Sequence, residues 1–347
     1  MAEVHSRAAR AAGASLLGLA SSSAARAAAA AERYGFERGY ESPQELIADP
    51  RIDVVHICTP NTTHAPLALA ALDAGKHVIC EKPLTTSASD AMVLRRRAQE
   101  TGLVATVPFV YRFHPMVREA RARAAAGELG GLLNLSGVYL QDWLLGQDDD
   151  NWRVDSAQGG SSRAFADIGS HLVDIIEFVA GDRILRLNAV TRTVFDRRGD
   201  RPVDTEDAVA VIVQTVAGAI GTLLVSQVSP GRKNHLTFEL AGSRRSLRFE
   251  QELPETLWLG GRDRSEVLAR DADRLSPDAA RLSVLPPGHP LGYQDAFNAF
   301  VADSYAAVSG ERPDGLPAFE DGYRAVVLTE AVLESAADET WIDVPST

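Results

Sequence analysis

Two kinds of hydrophobic pattern divide the chain near residue 110. In the first part, short apolar runs such as Val54–Ile57 and His77–Cys80 alternate with stretches of helical character such as 64–74. Short β-branched runs that are separated by helices are typical of parallel strands buried on both faces. The pattern therefore predicts a doubly wound, Rossmann-like parallel sheet over residues 1–110.

After residue 110 the strand candidates are longer, and they alternate between apolar and polar positions. They cover 134–140, 187–194, 208–214, 219–227 and 236–241, and helical stretches follow at 293–309 and 319–337. Such alternation is typical of antiparallel sheets that cover a core with one face. We therefore expect an α+β domain with a large, open, mainly antiparallel sheet over residues 111–347, in a chain of overall α/β class.

The composition limits the classes of function. The chain has 347 residues, with 35 Lys and Arg against 47 Asp and Glu and a net charge of −12. Because no basic stripe with interleaved aromatic residues is present, we expect neither nucleic acid nor a membrane surface as a partner. The alanine-rich stretch 24–31 is too short and too interrupted to span a bilayer.

Cysteine and histidine usage restricts the chemistry further. The two cysteines, Cys58 and Cys80, are predicted to be reduced core residues, as is usual in a cytoplasmic protein. The eight His and two Cys show no spacing typical of a metal site, so we predict no metal.

The first motif that carries chemistry is the end of the second buried strand. Glu81, Lys82 and Pro83 directly follow the apolar run His77–Cys80. The carboxyl ends of parallel strands open on the crevice where α/β proteins bind ligands, so Lys82 is predicted to face a ligand. Taken alone, the motif favours the other interpretation, in which the two charges are solvated side chains at a strand end.

The second motif is Asp167-x-Gly-x-His171, and Asp174 follows three residues later. On a helix these spacings place all three side chains on one face. A histidine held by carboxylates can take a proton from a substrate hydroxyl near neutral pH. The alternative is an Asp167 that caps a helix and a His171 that is satisfied within the core.

Together, the two motifs resemble those of the glucose-fructose oxidoreductase, inositol dehydrogenase and rhizopine catabolism (Gfo/Idh/MocA) family of nicotinamide-dependent sugar and polyol dehydrogenases. The resemblance extends over nearly the whole chain. It rests on segments that follow the family's order: Thr59–Asn61 with His64, Glu81–Pro83, Tyr111–Phe113, Asn151–Arg153, Gly159–Gly160, Asp167–His171 and Trp341–Val344. The segments 139–143 and 232–239 are most similar to the branch that holds levoglucosan dehydrogenase and inositol dehydrogenase-like enzymes.

The resemblance implies an NAD(P)-dependent oxidoreductase that transfers a hydride between a nicotinamide and a secondary hydroxyl of a sugar, anhydrosugar or cyclitol. Lys82 would lie beside the reacting carbinol and His171 would be the general base, while Asp167 would bind a neighbouring hydroxyl or orient Lys82. Loss of the hydroxyl proton assists hydride departure, and a lysine cation stabilises the developing alkoxide. A homodimer or homotetramer is expected, because relatives cover the open sheet with another subunit.

The same resemblance assigns further residues to binding. The cofactor-binding set is Thr59, Pro60, Asn61, His64, Glu81, Lys82, Pro83 and Arg112. The substrate-binding set is Tyr139, Gln141, Asp142, Trp143, Trp152, Arg153, Asp167, His171, Asn234, His235 and Tyr293. Single members of either set are also compatible with ordinary turn, core or surface positions.

The choice between NAD and NADP is left open by the apolar strand at residues 15–20, which corresponds to the second strand of the family's fold. It ends at Ser21, Ser22 and Ser23, where an NAD enzyme often has an acidic residue for the ribose 2′-hydroxyl. Arg26 could instead meet a 2′-phosphate, and Ser21, Ser22 and Arg26 therefore join the cofactor-binding set with a slight preference for NADP.

The start of the chain departs from the family's pattern. Met1–His5 aligns just past the glycine-rich phosphate loop of the family, so the first strand and that loop are expected to be missing. A start codon assigned too late is the favoured explanation. The alternatives are a shortened natural form and replacement of the strand by a partner or a rearranged segment.

Two alternatives to a dehydrogenase remain. NAD-dependent glycoside cleavage, in which transient oxidation acidifies the adjacent C–H bond, would release an aglycone without net cofactor reduction. A degenerate sugar-binding or regulatory subunit would keep the fold without the cofactor. The presence of Lys82, Asp167 and His171 favours the dehydrogenase.

Overall fold

The computed structural model describes residues 1–345, which divide into two compact units. The first unit comprises Met1–Val110 and Tyr293–Tyr323, and the second comprises Tyr111–Gly292 and the chain from Arg324 onward. The sequence pattern had assigned 293–323 to the second domain. This segment groups with the first unit because its helix packs on the N-terminal helix: the Phe297 ring lies 4.7 Å from that of His5, and Gln294 donates to the Val4 carbonyl at 3.2 Å.

Helices and strands follow the chain in the predicted alternation. The α-helices are α1 (Ala2–Ala11), α2 (Ala24–Tyr34), α3 (Pro43–Ala48), α4 (His64–Asp73), α5 (Ala88–Thr101), α6 (Pro115–Ala125), α7 (Ser156–Gly159), α8 (Ser170–Ala180), α9 (Pro277–Leu282), α10 (Tyr293–Val308) and α11 (Phe319–Asp338). The strands are β1 (Gly18–Leu19), β2 (Arg38–Gly39), β3 (Val54–Ile57), β4 (His77–Cys80), β5 (Ala105–Thr106), β6 (Leu132–Leu140), β7 (Ile184–Arg192), β8 (Arg197–Arg198), β9 (Arg201–Pro202), β10 (Ala208–Thr215), β11 (Ile220–Ser226), β12 (His235–Gly242), β13 (Arg245–Glu250), β14 (Thr256–Gly261), β15 (Ser265–Ala269) and β16 (Ile342–Asp343).

The strands of the first unit are parallel, which confirms the predicted Rossmann-like class. β1 pairs with β2, and β4 lies between β3 and β5 in a three-stranded sheet. Within residues 1–345, no strand joins these two sheets. Both sheets present the carboxyl ends of their strands to the segments that were predicted to bind the cofactor.

Local sequence signals set the helix ends of the first unit. The side chains of Ser23, Ser42 and Ser87 accept hydrogen bonds from backbone N–H groups of α2, α3 and α5. Helices α2 and α5 end at Gly35 and Gly102, whose φ angles of 72° and 65° are left-handed and favour glycine. These helices therefore begin and end at residues whose side chains or backbone angles suit a helix end.

The second unit contains the large, mainly antiparallel sheet that the alternating pattern predicted. Its nine strands lie in the order β15-β14-β13-β12-β6-β11-β10-β7-β16, with β6 and β11 parallel and the other neighbours antiparallel. Helix α8 packs directly on β6, where a Cβ atom at Gly137 would come within 3.0 Å of Leu172 and Ile176. The sheet therefore holds α8, which carries His171, at a short distance from its inner face.

Two composition-based expectations can be compared with the structure. Cys58 and Cys80 are free thiols, and burial raises the pKa of Cys80 well above its usual value. Across the described chain, every helix is either too short or too polar to cross a lipid bilayer. The cytoplasmic location stays a prediction.

Candidate active site

The ends of β3 and β4 carry most of the predicted cofactor-binding residues of the first unit. His64 joins the two strand ends, because its Nε2 lies 2.8 Å from the Thr59 carbonyl oxygen and its Nδ1 lies 2.8 Å from that of Pro83. Burial lowers the pKa of His64, so the ring is neutral at pH 7 and donates to one of the two carbonyls. The segments 59–64 and 81–83 are thus held together by one buried ring.

The segment after β3 forms a compact turn. Residues Asn61–Thr63 make one 3-10 turn, in which the Thr63 hydroxyl donates to the Pro60 carbonyl at 2.7 Å and lies 2.5 Å from the Thr59 hydroxyl. Asn61 is buried within this turn. These contacts shape the turn without any ligand, so the predicted cofactor contacts of Thr59, Pro60 and Asn61 stay predictions.

A buried polar network fixes Glu81, the residue before Lys82. His5 Nε2 lies 2.9 Å from Glu81 Oε1, and Glu81 Oε2 accepts a hydrogen bond from the Lys82 backbone N–H at 3.1 Å. The other nitrogen of His5 lies 2.9 Å from His56 Nδ1, and His56 Nε2 lies 2.9 Å from the Tyr305 hydroxyl. We call these four residues the His5 network.

The charges within the His5 network are consistent with one another. Burial opposes protonation of His5, but the neighbouring Cys58 and Glu81 outweigh it and raise the pKa of His5 to about 10. Burial and the charge on His5 lower the pKa of His56 well below its usual value. A cationic His5 can therefore donate to both Glu81 and a neutral His56, and His56 can donate to Tyr305, whose pKa burial raises to about 12.

The predicted ribose-binding residues follow β1 in the smaller sheet. The Arg26 guanidinium donates to the Ser22 hydroxyl at 3.0 Å, and Arg26 is exposed near the start of α2. Ser23 is occupied as the N-cap of the same helix. Ser22 and Arg26 therefore form one small polar group after β1, and the predicted cofactor contacts of Ser21, Ser22 and Arg26 stay predictions.

In the second unit, Asp167 and His171 lie on one continuous helical run. A π-helical turn, Phe165–Gly169, leads directly into α8. π-Helical turns are rare and are frequently found at functional sites. The glycine of the motif is needed here, because a Cβ atom at Gly169 would lie 2.6 Å from the Phe165 ring.

Both side chains of the motif have defined surroundings. Asp167 accepts a hydrogen bond from Gln227 Nε2 at 2.9 Å, and its other carboxylate oxygen lies 3.4 Å from Arg153 Nε. The His171 ring is buried and lies edge-on to the Tyr111 ring, at 5.0 Å between centroids. The motif is helical, as predicted.

Asp174, the third residue of the predicted face, has a different partner. It pairs with Arg112 in a buried bidentate ion pair, with the Nε to carboxylate distance at 2.8 Å. The Arg112 guanidinium also lies over the Phe178 ring at 4.6 Å. Asp174 thus balances the buried Arg112 cation, since a guanidinium inside a protein requires a carboxylate. The predicted contact of Arg112 with the cofactor stays a prediction.

A row of hydrogen-bonded side chains connects the Tyr111 ring to several predicted substrate residues. Its contacts are Tyr111 to Tyr139 at 2.6 Å, Tyr139 to Asn234 at 2.8 Å, Gln141 to Asn234 at 2.9 Å and Trp143 to Gln141 at 2.8 Å. We call these five residues the polar chain. The structure therefore brings Tyr139, Gln141, Trp143 and Asn234 together, and Tyr111 places their row beside His171.

The remaining predicted substrate residues have separate surroundings. Asp142 accepts from Lys233 at 2.7 Å, which lowers the pKa of its carboxyl, and the Arg153 guanidinium lies 4.4 Å from the centre of the Trp152 ring. Tyr293 is part of α10 in the first unit, packed beside Phe297. The predicted substrate contact of Tyr293 stays a prediction.

His235 belongs to a different cluster. Potential metal-ligand atoms of His235, Glu250 and Glu252 lie within 4.8 Å of one another. His235 Nδ1 is 3.0 Å from Glu252 Oε2 and 3.8 Å from Glu250 Oε1, so a hydrogen bond between His235 and Glu252 accounts for the arrangement. The prediction of no metal site stays a prediction.

Sequence reasoning missed several residues that orient this site. Tyr111 lies within a segment that resembles the family, but its place between His171 and Tyr139 carried no signal in the sequence. Gln227 holds Asp167 from 60 positions away, and His5 holds Glu81 from 76 positions away. Contacts of such separation have no local pattern.

The comparison with known proteins identifies the family. Residues 1–109 match the model described as "Oxidoreductase family, NAD-binding Rossmann fold", and residues 117–248 match the "GFO/IDH/MocA C-terminal domain". Levoglucosan dehydrogenase of Pseudarthrobacter phenanthrenivorans is 32% identical in an alignment 350 positions long, which covers 92% of this chain and 87% of that protein. The chain belongs to the Gfo/Idh/MocA family.

Other comparisons agree with membership of the Gfo/Idh/MocA family. Scyllo-inositol 2-dehydrogenase (NAD(+)) of Bacillus subtilis is 30% identical over 205 residues, or 59% of this chain and 57% of that protein. A solved structure of levoglucosan dehydrogenase in complex with NADH and levoglucosan has a TM-score of 0.92 and 31% identity, covering 99% of this chain and 97% of that one. The resemblance stated from the motifs is therefore confirmed.

The raised pKa of His5 makes stability depend on pH. The pKa of His5 is about 10 in the folded chain, against an ordinary value of 6.5. The contribution of the His5 charge to the free energy of unfolding is therefore complete below pH 6.5 and is lost as the pH rises through about 10. His5→Gln keeps polar groups but cannot be charged. We expect the unfolding free energy of the native chain to exceed that of His5→Gln most at low pH, with the difference shrinking towards pH 10. Urea unfolding at stepped pH measures this, and a difference that is constant across the range contradicts a cationic His5.

Proposed function

We propose that this protein is an NAD(P)-dependent oxidoreductase that oxidises a secondary hydroxyl of a sugar, anhydrosugar or cyclitol. The position of His171 carries the proposal, because this histidine stands against Tyr111, the first member of the polar chain, while Asp167 lies on the same helical run. Hydroxyl and amide groups both donate and accept, which suits a substrate with several hydroxyls. Family membership and the named activities of relatives support the same class.

The residues at the strand ends of the first unit fit a nicotinamide cofactor. Buried Asn61 and the threonines of its turn offer amide and hydroxyl groups for ribose and carboxamide, and Lys82 adds a cation. When bound, the nicotinamide supplies the hydride acceptor. The polar groups are held by His64 and the His5 network, so little reordering is required on binding.

The roles that the family resemblance implies for His171, Lys82 and Asp167 supply the remaining chemistry. His171 accepts the proton of the reacting hydroxyl, and the Lys82 cation stabilises the alkoxide that develops. Asp167 accepts a hydrogen bond from a second substrate hydroxyl, in an orientation fixed by Gln227 and Arg153. The Trp143 and Trp152 rings are suited to the apolar face of a sugar ring.

His171→Asn tests the role of the base. We expect kcat to fall about 10²- to 10⁴-fold, the usual contribution of general acid–base catalysis, while NADH binding measured by fluorescence is unchanged. His289→Asn, at an exposed histidine, is the matched control and should retain full activity. The assay follows reduced nicotinamide with a panel of polyols and anhydrosugars.

Other results of this assay reject the proposal. A folded chain that binds the cofactor but oxidises no compound of the panel is not a dehydrogenase of this class. Release of an aglycone from a glycoside without net cofactor reduction would indicate glycoside cleavage instead. Full activity in His171→Asn would exclude His171 as the base.

We further propose that the cofactor is NADP in preference to NAD. Ser22 and Arg26 form a polar group with an exposed guanidinium after β1, which suits a 2′-phosphate. The names of relatives include both NADP(+) and NAD(+), so they do not decide between the two cofactors and the preference rests on these residues.

Arg26→Ala tests the cofactor preference. Loss of a charge-assisted hydrogen bond is worth about 1.5–3 kcal/mol, so we expect KM for NADP⁺ to rise about ten- to hundredfold and KM for NAD⁺ to change less than about twofold. Arg33→Ala, at another exposed arginine of α2, is the control. Equal effects on both cofactors, or a native enzyme that prefers NAD⁺, contradict the assignment.

We also propose that a second copy covers the exposed face of the nine-stranded sheet. Val190 and Leu224 lie on either side of Ala210 in a cross-strand row, and they are 68% and 42% exposed. A contiguous apolar row on an open sheet is typical of a surface that another subunit covers.

Light scattering of the purified chain tests this assembly. We expect the mass of a dimer or a tetramer, and we expect Val190→Lys to lower it because a buried lysine would lack a partner. Arg192→Lys, on the same strand, keeps the charge and serves as the control. A monomer in the native chain would reject the proposal.

A further inference from the structure

The second unit contains a buried ionic cluster that the proposed chemistry does not use. The side chains of Arg163, Arg198 and Asp207 are completely buried. One carboxylate oxygen of Asp207 accepts a hydrogen bond from Arg198 Nη2 at 2.9 Å and another from Arg163 Nη2. Because a buried charge is stable only when it is paired and hydrogen-bonded, each of these three groups restricts where the other two can lie.

Arg198 extends the cluster to a loop that carries predicted substrate residues. We call residues 142–154 the substrate loop, since they include Trp143, Trp152 and Arg153. The Arg198 guanidinium donates to three carbonyls of this loop, those of Leu144 at 2.8 Å, Gly146 at 2.6 Å and Asp149 at 3.1 Å. One side chain thus provides hydrogen-bond donors for three backbone carbonyls of the loop.

Arg163 and Glu206 extend the cluster in the other direction, to the helical run of Asp167 and His171. Glu206 precedes Asp207 and accepts hydrogen bonds from the Arg163 N–H at 3.0 Å and the Phe165 N–H at 2.9 Å. It also accepts from the Ser162 hydroxyl at 2.7 Å. These bonds fix the start of the π-helical turn that leads to both side chains.

Apolar packing supports the same connection. Val203 lies between Arg198 and Asp207 in the sequence, and it packs with Leu144 and Val154 of the substrate loop in a buried cluster. The Gln227 N–H donates to the Asp207 carbonyl at 2.9 Å, and the Gln227 side chain holds Asp167. Residues 198–207 therefore contact both the loop and the groups around Asp167.

We propose that Arg198 is a positioning residue for the substrate, which fixes the substrate loop to the same carboxylate that holds the start of the His171 helical run. The attachment of the loop by Arg198 sets the distance between Arg153 and Asp167, which is 3.4 Å from Arg153 Nε to the carboxylate oxygen. This inference rests on the proposed function, because it assigns the loop to the polyol.

The chemistry of arginine explains why this position requires it. The guanidinium presents five N–H donors in a rigid planar fork, and Arg198 uses two of its nitrogens for three carbonyls and a carboxylate. A lysine ammonium has donors on a single atom and cannot reach these groups in the same geometry. Arg198→Lys therefore keeps the positive charge beside Asp207 and removes the fixed attachment of the loop.

Steady-state kinetics of Arg198→Lys tests the proposal. Small displacements of a positioned group reduce rates about 10²-fold, so we expect kcat/KM for the polyol to fall about ten- to hundredfold. KM for the cofactor should change less than about twofold, because the cluster lies in the second unit. Arg201→Lys is the matched control: Arg201 belongs to the same hairpin and pairs with Asp150 of the same loop at 3.4 Å, but at the surface, where such pairs contribute little.

Amide hydrogen exchange provides a readout that does not depend on activity. In Arg198→Lys we expect faster exchange within residues 142–154 and 163–171, with unchanged exchange in β12, an interior strand of the nine-stranded sheet. If the native chain oxidises no polyol, the proposed function fails, while the exchange data still decide whether Arg198 fixes the loop. Native exchange in both segments, or an equal increase throughout the second unit, overturns the inference.

A second variant covers the case in which Arg198→Lys does not fold. Val203→Ala removes apolar contacts with Leu144 and Val154 and leaves every buried charge in place. We expect this variant to fold and to exchange faster in the substrate loop. Its kcat/KM for the polyol should fall by a smaller factor than that of Arg198→Lys. Native kinetics and native loop exchange in Val203→Ala overturn the inference.

Discussion

Burial of charge is the constraint on which the candidate residues of each unit depend. A charged group loses most of its hydration inside a protein, so it is stable there only beside an opposite charge and enough hydrogen-bond partners. In the first unit Glu81 meets this requirement through His5, and in the second unit Asp174 pairs with Arg112 and Asp207 with two arginines. Each pair fixes a backbone segment that carries a residue of the proposed chemistry.

The two units use this constraint in different ways. The His5 network holds the residue next to Lys82 by a linear series of donors and acceptors, with one cation at His5 and neutral groups beyond it. The Asp207 cluster instead joins two segments, since two guanidinium groups share one carboxylate. The polar chain contains no formal charge, which leaves its hydroxyl and amide groups able to exchange partners with a polyol.

The motifs that indicated the family were sufficient for the fold and for the outline of the chemistry. Short buried runs predicted the parallel strands, alternation predicted the large sheet, and the spacing of Asp167 and His171 predicted a shared helical run. These features were predictable because the period of a strand or a helix is a local property of the chain. The same spacing placed Asp174 on that helical face, but it gave no sign of Arg112, 62 positions away, with which Asp174 pairs.

The sequence by itself determined the class of fold, the order of its elements and the residue types available at each strand end and helix face. Tertiary structure alone decided which of them meet: Gln227 with Asp167, Tyr111 with His171, and Arg198 with the substrate loop. Tertiary structure also grouped residues 293–323 with the first unit, where α10 packs on α1. The physical reason is that periodicity acts over a few residues, whereas the pairing of buried charges and the packing of apolar faces select partners by distance in space.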